Sequence, residues 1–358
     1  MLQKFRYIFN AIAYGLAAAL VVIAINPQLR SNLGITQFTD KVINQEAMSF
    51  ANAVKLAAPA VVNIYSIVVN HSNFNQTQAI NDLGSGVIMA SNGHILTNYH
   101  VVDSAEIIYI DLQDGRRFSA EVIGLDEVTD LALLKIDATN LPTIPQDPDL
   151  EAQVGDIVLA IGNPLNYGQT ITQGIISASG KRGLTPGPSH GDLIQMDAAI
   201  NVGNSGGALV NSKGMLVGIN TASAQSDRTG IQGIFFAIPY KQAKNIMDKL
   251  LADGEVKRGY LGLSGTAINQ MGAPVRSSVE SIAGIQITSV DPLGPAWASG
   301  LKANDVLLSV NGKQLISLSE LLSFVENVEP GSIITFKLFR NGNLLNKDVE
   351  VGRLETSR

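Results

Sequence analysis

Three residues of this chain have types and settings fit for acyl transfer: a serine among glycines, a histidine at the end of an apolar segment and an aspartate before another. Ser205 lies at the centre of the stretch Asp197 to Leu209, inside Gly-Asn-Ser-Gly-Gly-Ala-Leu. Glycines 203, 206 and 207 free the backbone for positive φ and let a substrate approach. The amides of Gly203, Asn204 and Ser205 can turn toward one point, a nest of donors that stabilises a developing oxyanion. A hydroxyl is weak without a base, and the chain holds four histidines, His71, His94, His100 and His190. His100 stands out, because in Gly-His-Ile-Leu-Thr-Asn-Tyr-His-Val-Val an apolar segment ends in a small polar cluster, as a strand end delivering a side chain into a cleft would. Asp130, in Val-Thr-Asp-Leu-Ala-Leu-Leu-Lys-Ile, directly precedes a strand-like run. A carboxylate there can be buried and still orient an imidazole. Singly, Gly-Asn-Ser-Gly-Gly reads as a turn and a lone histidine as structural; together the three supply nucleophile, base and orienter.

The order histidine, aspartate, serine is that of the chymotrypsin-like solution to acyl transfer. His100 in Thr-Asn-Tyr-His-Val-Val, Asp130 in Thr-Asp-Leu-Ala-Leu-Leu and Ser205 in Gly-Asn-Ser-Gly-Gly-Ala-Leu resemble the HtrA (Deg) family of serine proteases, from about residue 47 to the end. The resemblance implies a serine endopeptidase with catalytic His100, Asp130 and Ser205, an oxyanion hole at Gly203, Asn204 and Ser205, and no metal or cofactor. In chymotrypsin-like folds the residue six before the nucleophile, here Ala199, sits at the base of the pocket for the side chain preceding the cut. With Ile200 beside it and Gly218-Ile219-Asn220 as the wall strand, the pocket is expected to be small and apolar, favouring cleavage after Val or another small aliphatic residue.

Positioning such a site takes barrels or sandwiches of short strands. From Gly84 onward β-rich runs recur between Asn92-Gly93, Asp114-Gly115, Gly162-Asn163-Pro164 and Lys213-Gly214, a spacing of an all-β domain rather than βαβ units. By the resemblance it is a pair of six-stranded barrels with the triad between them. Ala51 to Leu56 reads as a helix ended by Pro59, Ala60 to Ile67 as a strand, and His71 to Asp82 as a polar loop. A helix from Pro239 to Leu251, with Pro at its start and Gly254 past its end, closes the domain. Gly254 to Gly259 reads as a short polar linker. Gly180 to Gly191 is rich in breakers and reads as an exposed loop; in the family the corresponding loop carries signals from the peptide-binding domain, which implies a regulatory role for Arg182.

The last hundred or so residues, from Tyr260-Leu261-Gly262-Leu263 through Gly294-Pro-Ala-Trp-Ala-Ser-Gly-Leu301 and Asp305-Val-Leu-Leu-Ser-Val-Asn-Gly312, resemble one PDZ domain. There Tyr260 to Leu263 would hold a peptide C-terminal carboxylate while the peptide adds a strand to the sheet edge.

At the other end no residue from Tyr7 to Leu29 carries a formal charge, and Lys4 and Arg6 precede them. The run is long enough for a membrane-spanning helix, with the amino end cytoplasmic; an uncleaved anchor suits it better than a signal peptide, since no convincing small-x-small site follows. The expected organisation is mainly β: anchor over 1–26, linker over 27–46, chymotrypsin-like double-barrel protease domain over 47–254, PDZ domain over 255–358.

The whole composition sets limits. At 358 residues, 46% hydrophobic and 16% charged, the chain is expected to be globular, with two or three domains rather than one. A net charge of −6 without a basic cluster argues against nucleic acid as partner. With no cysteine, thiol chemistry, disulfides and thiolate metal sites drop out.

One anchor, one protease domain and one PDZ domain resemble the membrane-anchored signalling type within the family. This implies a homotrimer on the periplasmic face of the bacterial inner membrane. Its PDZ domain would bind C-terminal peptides of misfolded outer-membrane proteins, and its activated site would cut an RseA-like anti-sigma factor. A general quality-control protease, or a peptide-binding chaperone or scaffold without turnover, are the alternatives.

Overall fold

The computed structural model describes residues 2–32, 49–72, 75–163, 168–181, 192–223, 233–271 and 282–355. They fall into two units, Met1–Ala51 and Asn52–Arg358. In the first, α1 (Leu2–Ile25) runs unbroken, because no proline or glycine pair interrupts it. Its stretch Phe5–Ile25, 21 residues with mean hydropathy 2.4, has no buried side, and at about 1.5 Å per residue it is long enough to cross a bilayer. Asn26 ends it and caps α2 (Pro27–Asn32), its Oδ1 accepting from the Gln28 and Leu29 amides. The rest of the expected linker, 33–46, lies outside the described residues.

In the second unit α3 (Ala51–Ala57) leads into a closed barrel. Its strands are β1 (Val61–Ser72), β2 (Asn75–Ala90), β3 (His94–Thr97), β4 (Ile107–Asp111), β5 (Arg117–Asp126) and β6 (Leu131–Ile136), with the one-turn helix α4 (Tyr99–Val102) after β3. They close in the order β1-β2-β3-β6-β5-β4. The apolar run after Asp130 becomes β6, buried throughout except at Lys135. Ile64, Ile88, Ile95 and Ile110 of the same barrel are likewise fully sealed.

One expectation is corrected here. Among the described residues of the polar tract, 71–72 and 75–82 are strand rather than loop: β1 and β2 pair from Ile67↔Ile80 to Ser72↔Asn75, after a register shift at Ser66/Ile67. Pairing satisfies the backbone groups that the two strands turn toward each other, and that outweighs the low strand propensity of Asn and Gln.

The second barrel repeats the design with β7 (Ile157–Gly162), β8 (Thr170–Lys181), β9 (Leu193–Met196), β10 (Ala208–Asn211), β11 (Leu216–Ser223) and β12 (Phe235–Pro239), closed as β10-β11-β12-β9-β8-β7. Helix α5 (Tyr240–Asp253) follows, burying Tyr240, Ala243, Ile246, Met247 and Leu250 along one stripe. Gly254 ends it with φ +74 and its amide on the Leu250 carbonyl.

The C-terminal part comprises β13 (Gly259–Tyr260), β14 (Leu263–Met271), β15 (Ile282–Val290), α6 (Pro295–Ala298), β16 (Val306–Val310), β17 (Lys313–Gln314), α7 (Leu318–Glu326), β18 (Ile333–Arg340), β19 (Asn343–Glu350) and β20 (Gly352–Arg353). The main sheet runs β14-β15-β16-β18-β19, which leaves β14 at its edge. Its core is one cluster around Ile285, Leu307, Leu321, Phe336 and Leu338.

Residues 254–259 do more than link. The Arg258 guanidinium donates to both oxygens of Asp126 at 2.6 and 2.7 Å, and the Thr129 hydroxyl donates to the same carboxylate. Both members of the pair are sealed from solvent. An arginine reads as polar in sequence, and its burial follows from an acid 132 residues away.

Candidate active site

His100 rides on α4, which the Ser66 hydroxyl pins by donating to the Val101 carbonyl. Val101 and Val102 face the core, so the histidine between Tyr99 and Val101 is left outward, its side chain 46% exposed. Asp130 closes the turn between β5 and β6, its amide on Glu127 O at 3.2 Å. Its φ is +57, a left-handed conformation that Asp tolerates better than most residues. The Asn98 side-chain amide holds the Asp130 carbonyl at 2.9 Å.

The two meet face to face. His100 Nδ1 lies 2.9 Å from both Asp130 oxygens, and the His100 amide donates to Oδ1 at 3.1 Å. A carboxylate only accepts, so Nδ1 carries hydrogen and Nε2 is left with its lone pair. A third donor comes from the other barrel: the Thr221 hydroxyl reaches Asp130 Oδ2 at 2.6 Å. Beside them, burial first, then the hydrogen bond to Asp103 and the charges of Asp103 and Glu127, push the Tyr99 hydroxyl up to about 12.

Ser205 precedes β10 in a turn built on glycine. Gly203 and Gly206 have φ of +99 and +81. A Cβ on Gly206 would stand 2.1 Å from the Ser85 carbonyl, so no larger residue fits there. The Ser205 hydroxyl donates to the Thr221 carbonyl at 2.9 Å. Thr221 thus touches both the nucleophile candidate, through its backbone, and Asp130, through its side chain.

The amides of Gly203 and Ser205 have no acceptor among the described residues. The Asn204 amide, expected with them, instead donates to Asn201 O at 2.9 Å, because the chain needs that bond to close its turn. Of the three expected donors, the Gly203 and Ser205 amides are thus unengaged and the Asn204 amide is engaged.

The four expected pocket residues separate. Ile200 belongs to the second barrel's core, and Ala199, half-buried, packs at its margin. Ile219 and Asn220 are fully sealed, Asn220 with its amide on the Ala208 carbonyl. Ala199 alone of the four is not buried; it and Ile200 lie in the segment after β9, outside any strand. Arg182 lies outside the described residues. Sequence reasoning missed Thr221, Asn98 and Ser85. The Gly84-Ser85-Gly86 alternation was the available sign for Ser85, and none marked Thr221.

In the C-terminal part, Gly262 turns with φ +72, and the Leu261 and Gly262 carbonyls accept from Ala296 and Asp291. Their own amides have no acceptor among the described residues. Leu261 is in the core, with Leu263 packed against it. Tyr260 donates its hydroxyl to Asp291 at 3.1 Å.

Known proteins are similar throughout. Residues 84–219 match the trypsin-like peptidase domain and residues 259–351 the PDZ domain. The serine endoprotease DegS of Escherichia coli (strain K12) is 45% identical over 352 residues, 97% of this chain and 98% of its own. That of Haemophilus influenzae is 42% identical over 354 residues, 98% of each chain. The periplasmic serine endoprotease DegP of E. coli (strain K12) is 43% identical over 77% of this chain and 58% of its own. Among solved structures, the serine endoprotease from Yersinia pestis shares 45% identity, with a TM-score of 0.70 over 86% of this chain and 98% of that one. The HtrA-type protease AlgW with a decapeptide shares 40%, with a TM-score of 0.75 over 86% and 100%. Two closed barrels, a PDZ domain and this identity along nearly the whole length make the chain a serine endopeptidase belonging to the HtrA (Deg) family, of the DegS type.

Proposed function

We propose that this protein is a membrane-anchored periplasmic endoprotease in which Ser205 attacks the peptide carbonyl, His100 takes its proton and Asp130 holds the imidazole. The observation that carries the reading is the approach of both Asp130 oxygens to His100 Nδ1, with Thr221 bonding both Asp130 and Ser205, whose amide is unengaged like that of Gly203. His100 Nε2 accepts the hydroxyl proton, the acyl-enzyme forms, and the protonated imidazole returns the proton to the leaving amine before water completes hydrolysis. The Gly203 and Ser205 amides hold the oxyanion. In the resting arrangement the Ser205 proton points at the Thr221 carbonyl, so reaction requires re-aiming it at Nε2. Ala199 at the pocket base favours cleavage after Val or another small aliphatic residue.

The PDZ domain supplies the trigger. The edge strand β14 beside α7 accepts a peptide as an added strand, its terminal carboxylate on the Leu261 and Gly262 amides. AlgW has been solved with a decapeptide and with a tripeptide, which supports the same use here. C-terminal peptides of misfolded outer-membrane proteins are the ligands, a population shift toward the active loop is the effect, and one cut in an anti-sigma factor is the output. Residues 1–26 anchor a homotrimer to the inner membrane, 27–46 tether it, and 47–254 and 255–358 form the protease and PDZ domains. Arg182 is assigned to the signal path between them.

The test is an assay of the full chain in detergent on peptides differing in the residue before the cut, with and without a short peptide ending in an aromatic residue. The added peptide should raise turnover, Val should be preferred to Arg before the cut, and S205A should abolish turnover while still binding the peptide. Proteolysis by S205A would refute the assignment. Degradation of bulk unfolded protein without the peptide would favour a general quality-control protease.

A further inference from the structure

Ser85 is sealed from solvent on β2, between two glycines that the barrel wall leaves no room to enlarge. A Cβ at Gly84 would stand 2.4 Å from Val101, and one at Gly86 2.7 Å from Ile95. Strand alternation sends the residue between them the other way, out of the first barrel and against the second. Four bonds result. The Ser85 hydroxyl donates to the Gly203 carbonyl at 2.7 Å and accepts from the Asn163 amide at 3.0 Å. The Ser85 amide donates to the Ser205 carbonyl at 2.9 Å, and the Ser85 carbonyl accepts from the Thr97 hydroxyl at 2.7 Å.

The two residues whose carbonyls Ser85 holds are the two whose amides are unengaged. Gly203, with φ +99, has no side chain to confine it, so hydrogen bonds must set the planes on either side of its Cα. The Ser205 carbonyl is held from Ser85's backbone and survives any substitution there. The Gly203 carbonyl is held by the hydroxyl alone among the bonds found in the described residues.

We infer that Ser85 is a positioning residue for the oxyanion hole: its hydroxyl holds the carbonyl of the Gly203–Asn204 peptide, whose N–H is bonded to the Asn201 carbonyl, and ties it to the segment after β7 through Asn163, so that the Gly203 Cα is fixed next to the plane carrying the Gly203 amide that faces the reacting carbonyl. The inference rests on the reading of Ser205 as nucleophile. It makes the first barrel, which carries the base, responsible also for the geometry of the oxyanion donors on the second.

The experiment compares wild type, S85A, S85T and S205A as full chains in detergent, with a saturating short peptide ending in an aromatic residue. The readouts are kcat, KM, affinity for a peptidyl boronic acid with Val at the reacting position, and thermal unfolding. A serine boronate adduct has a tetrahedral boron with one of its oxygens where the oxyanion forms, so its affinity reports that geometry and not fold stability. S85A should lower kcat about 100-fold with KM little changed, the scale of a reacting group misplaced by about 1 Å, and weaken the boronate by a similar factor. S85T, which keeps the hydroxyl, should recover most of both. S85A matching wild type in kcat and boronate affinity would overturn the inference, as would S85A and S85T equally impaired with equal loss of thermal stability. Should S85A not fold, S85C, similar in size with a weak donor, is read the same way: lost boronate affinity supports the inference and wild-type affinity overturns it. Inactive wild type or active S205A would instead strike at the nucleophile assignment itself.

Discussion

At the scale of single residues, the imidazole depends on a donor from the opposite barrel. The Thr221 hydroxyl bonds a carboxylate oxygen that also faces His100, and a hydrogen bond to a charged group contributes about 1.5–3 kcal/mol. T221V is therefore expected to lower kcat about tenfold or more on that scale, and T221S to stay near wild type; steady-state kinetics checks both. Tyr99 provides a pH signature beside the same histidine. Its hydroxyl is raised from 10.0 to about 12, first by burial. Below the unfolded value both states keep the phenol neutral. Between the two values only the unfolded chain ionises it, so stability is lost as pH rises through that window. Y99F lacks this ionisation. Denaturant unfolding at about pH 9 and about pH 11 should show wild type losing more stability than Y99F, and equal losses would contradict the cause given.

At the scale of elements, much was legible because it is local. The apolar run after Asp130 had to be a buried strand, and Pro239 with Gly254 bracketed α5 by rules that act within a few residues. Placing His100 and Asp130 at the ends of apolar runs put them where the fold brings them together. What escaped depends on partners distant in sequence. The tract 71–82 looks like a loop until its pairing strand is known. Asn204 resembles its neighbours in type and differs only in that its amide closes a turn on Asn201. Ile200 and Ile219 are apolar whether they line a pocket or fill a barrel; the register of β11 turns Ile219 inward, and packing distant in sequence buries Ile200 in the loop after β9. Thr221 carries no motif, and Asn98, though inside Thr-Asn-Tyr-His-Val-Val, shows its role only through the Asp130 carbonyl 32 residues on.

At the scale of the whole molecule, a sealed ion pair ties the first barrel to the segment that enters the PDZ domain. Asp126 closes β5, four residues before Asp130, and Arg258 precedes β13. Removing one partner of a buried pair leaves a charge without compensation and costs about 3–5 kcal/mol. D126A should therefore be destabilised by about that amount in urea unfolding, while D126L with R258M, which removes both charges, should recover much of it. A D126A chain as stable as wild type would mean the pair is solvated in solution. The same seam joins the element after which Asp130 is placed to the strand that leads into the Tyr260–Leu263 turn. The central claim is nevertheless chemical, that one hydroxyl in this chain is made reactive by one imidazole. Intact-mass and peptide-map analysis after exposure to a fluorophosphonate tests it most directly. The account predicts a single adduct, on Ser205, formed far more slowly in H100A; no adduct at Ser205 under activating conditions, or one formed equally fast without His100, would contradict it.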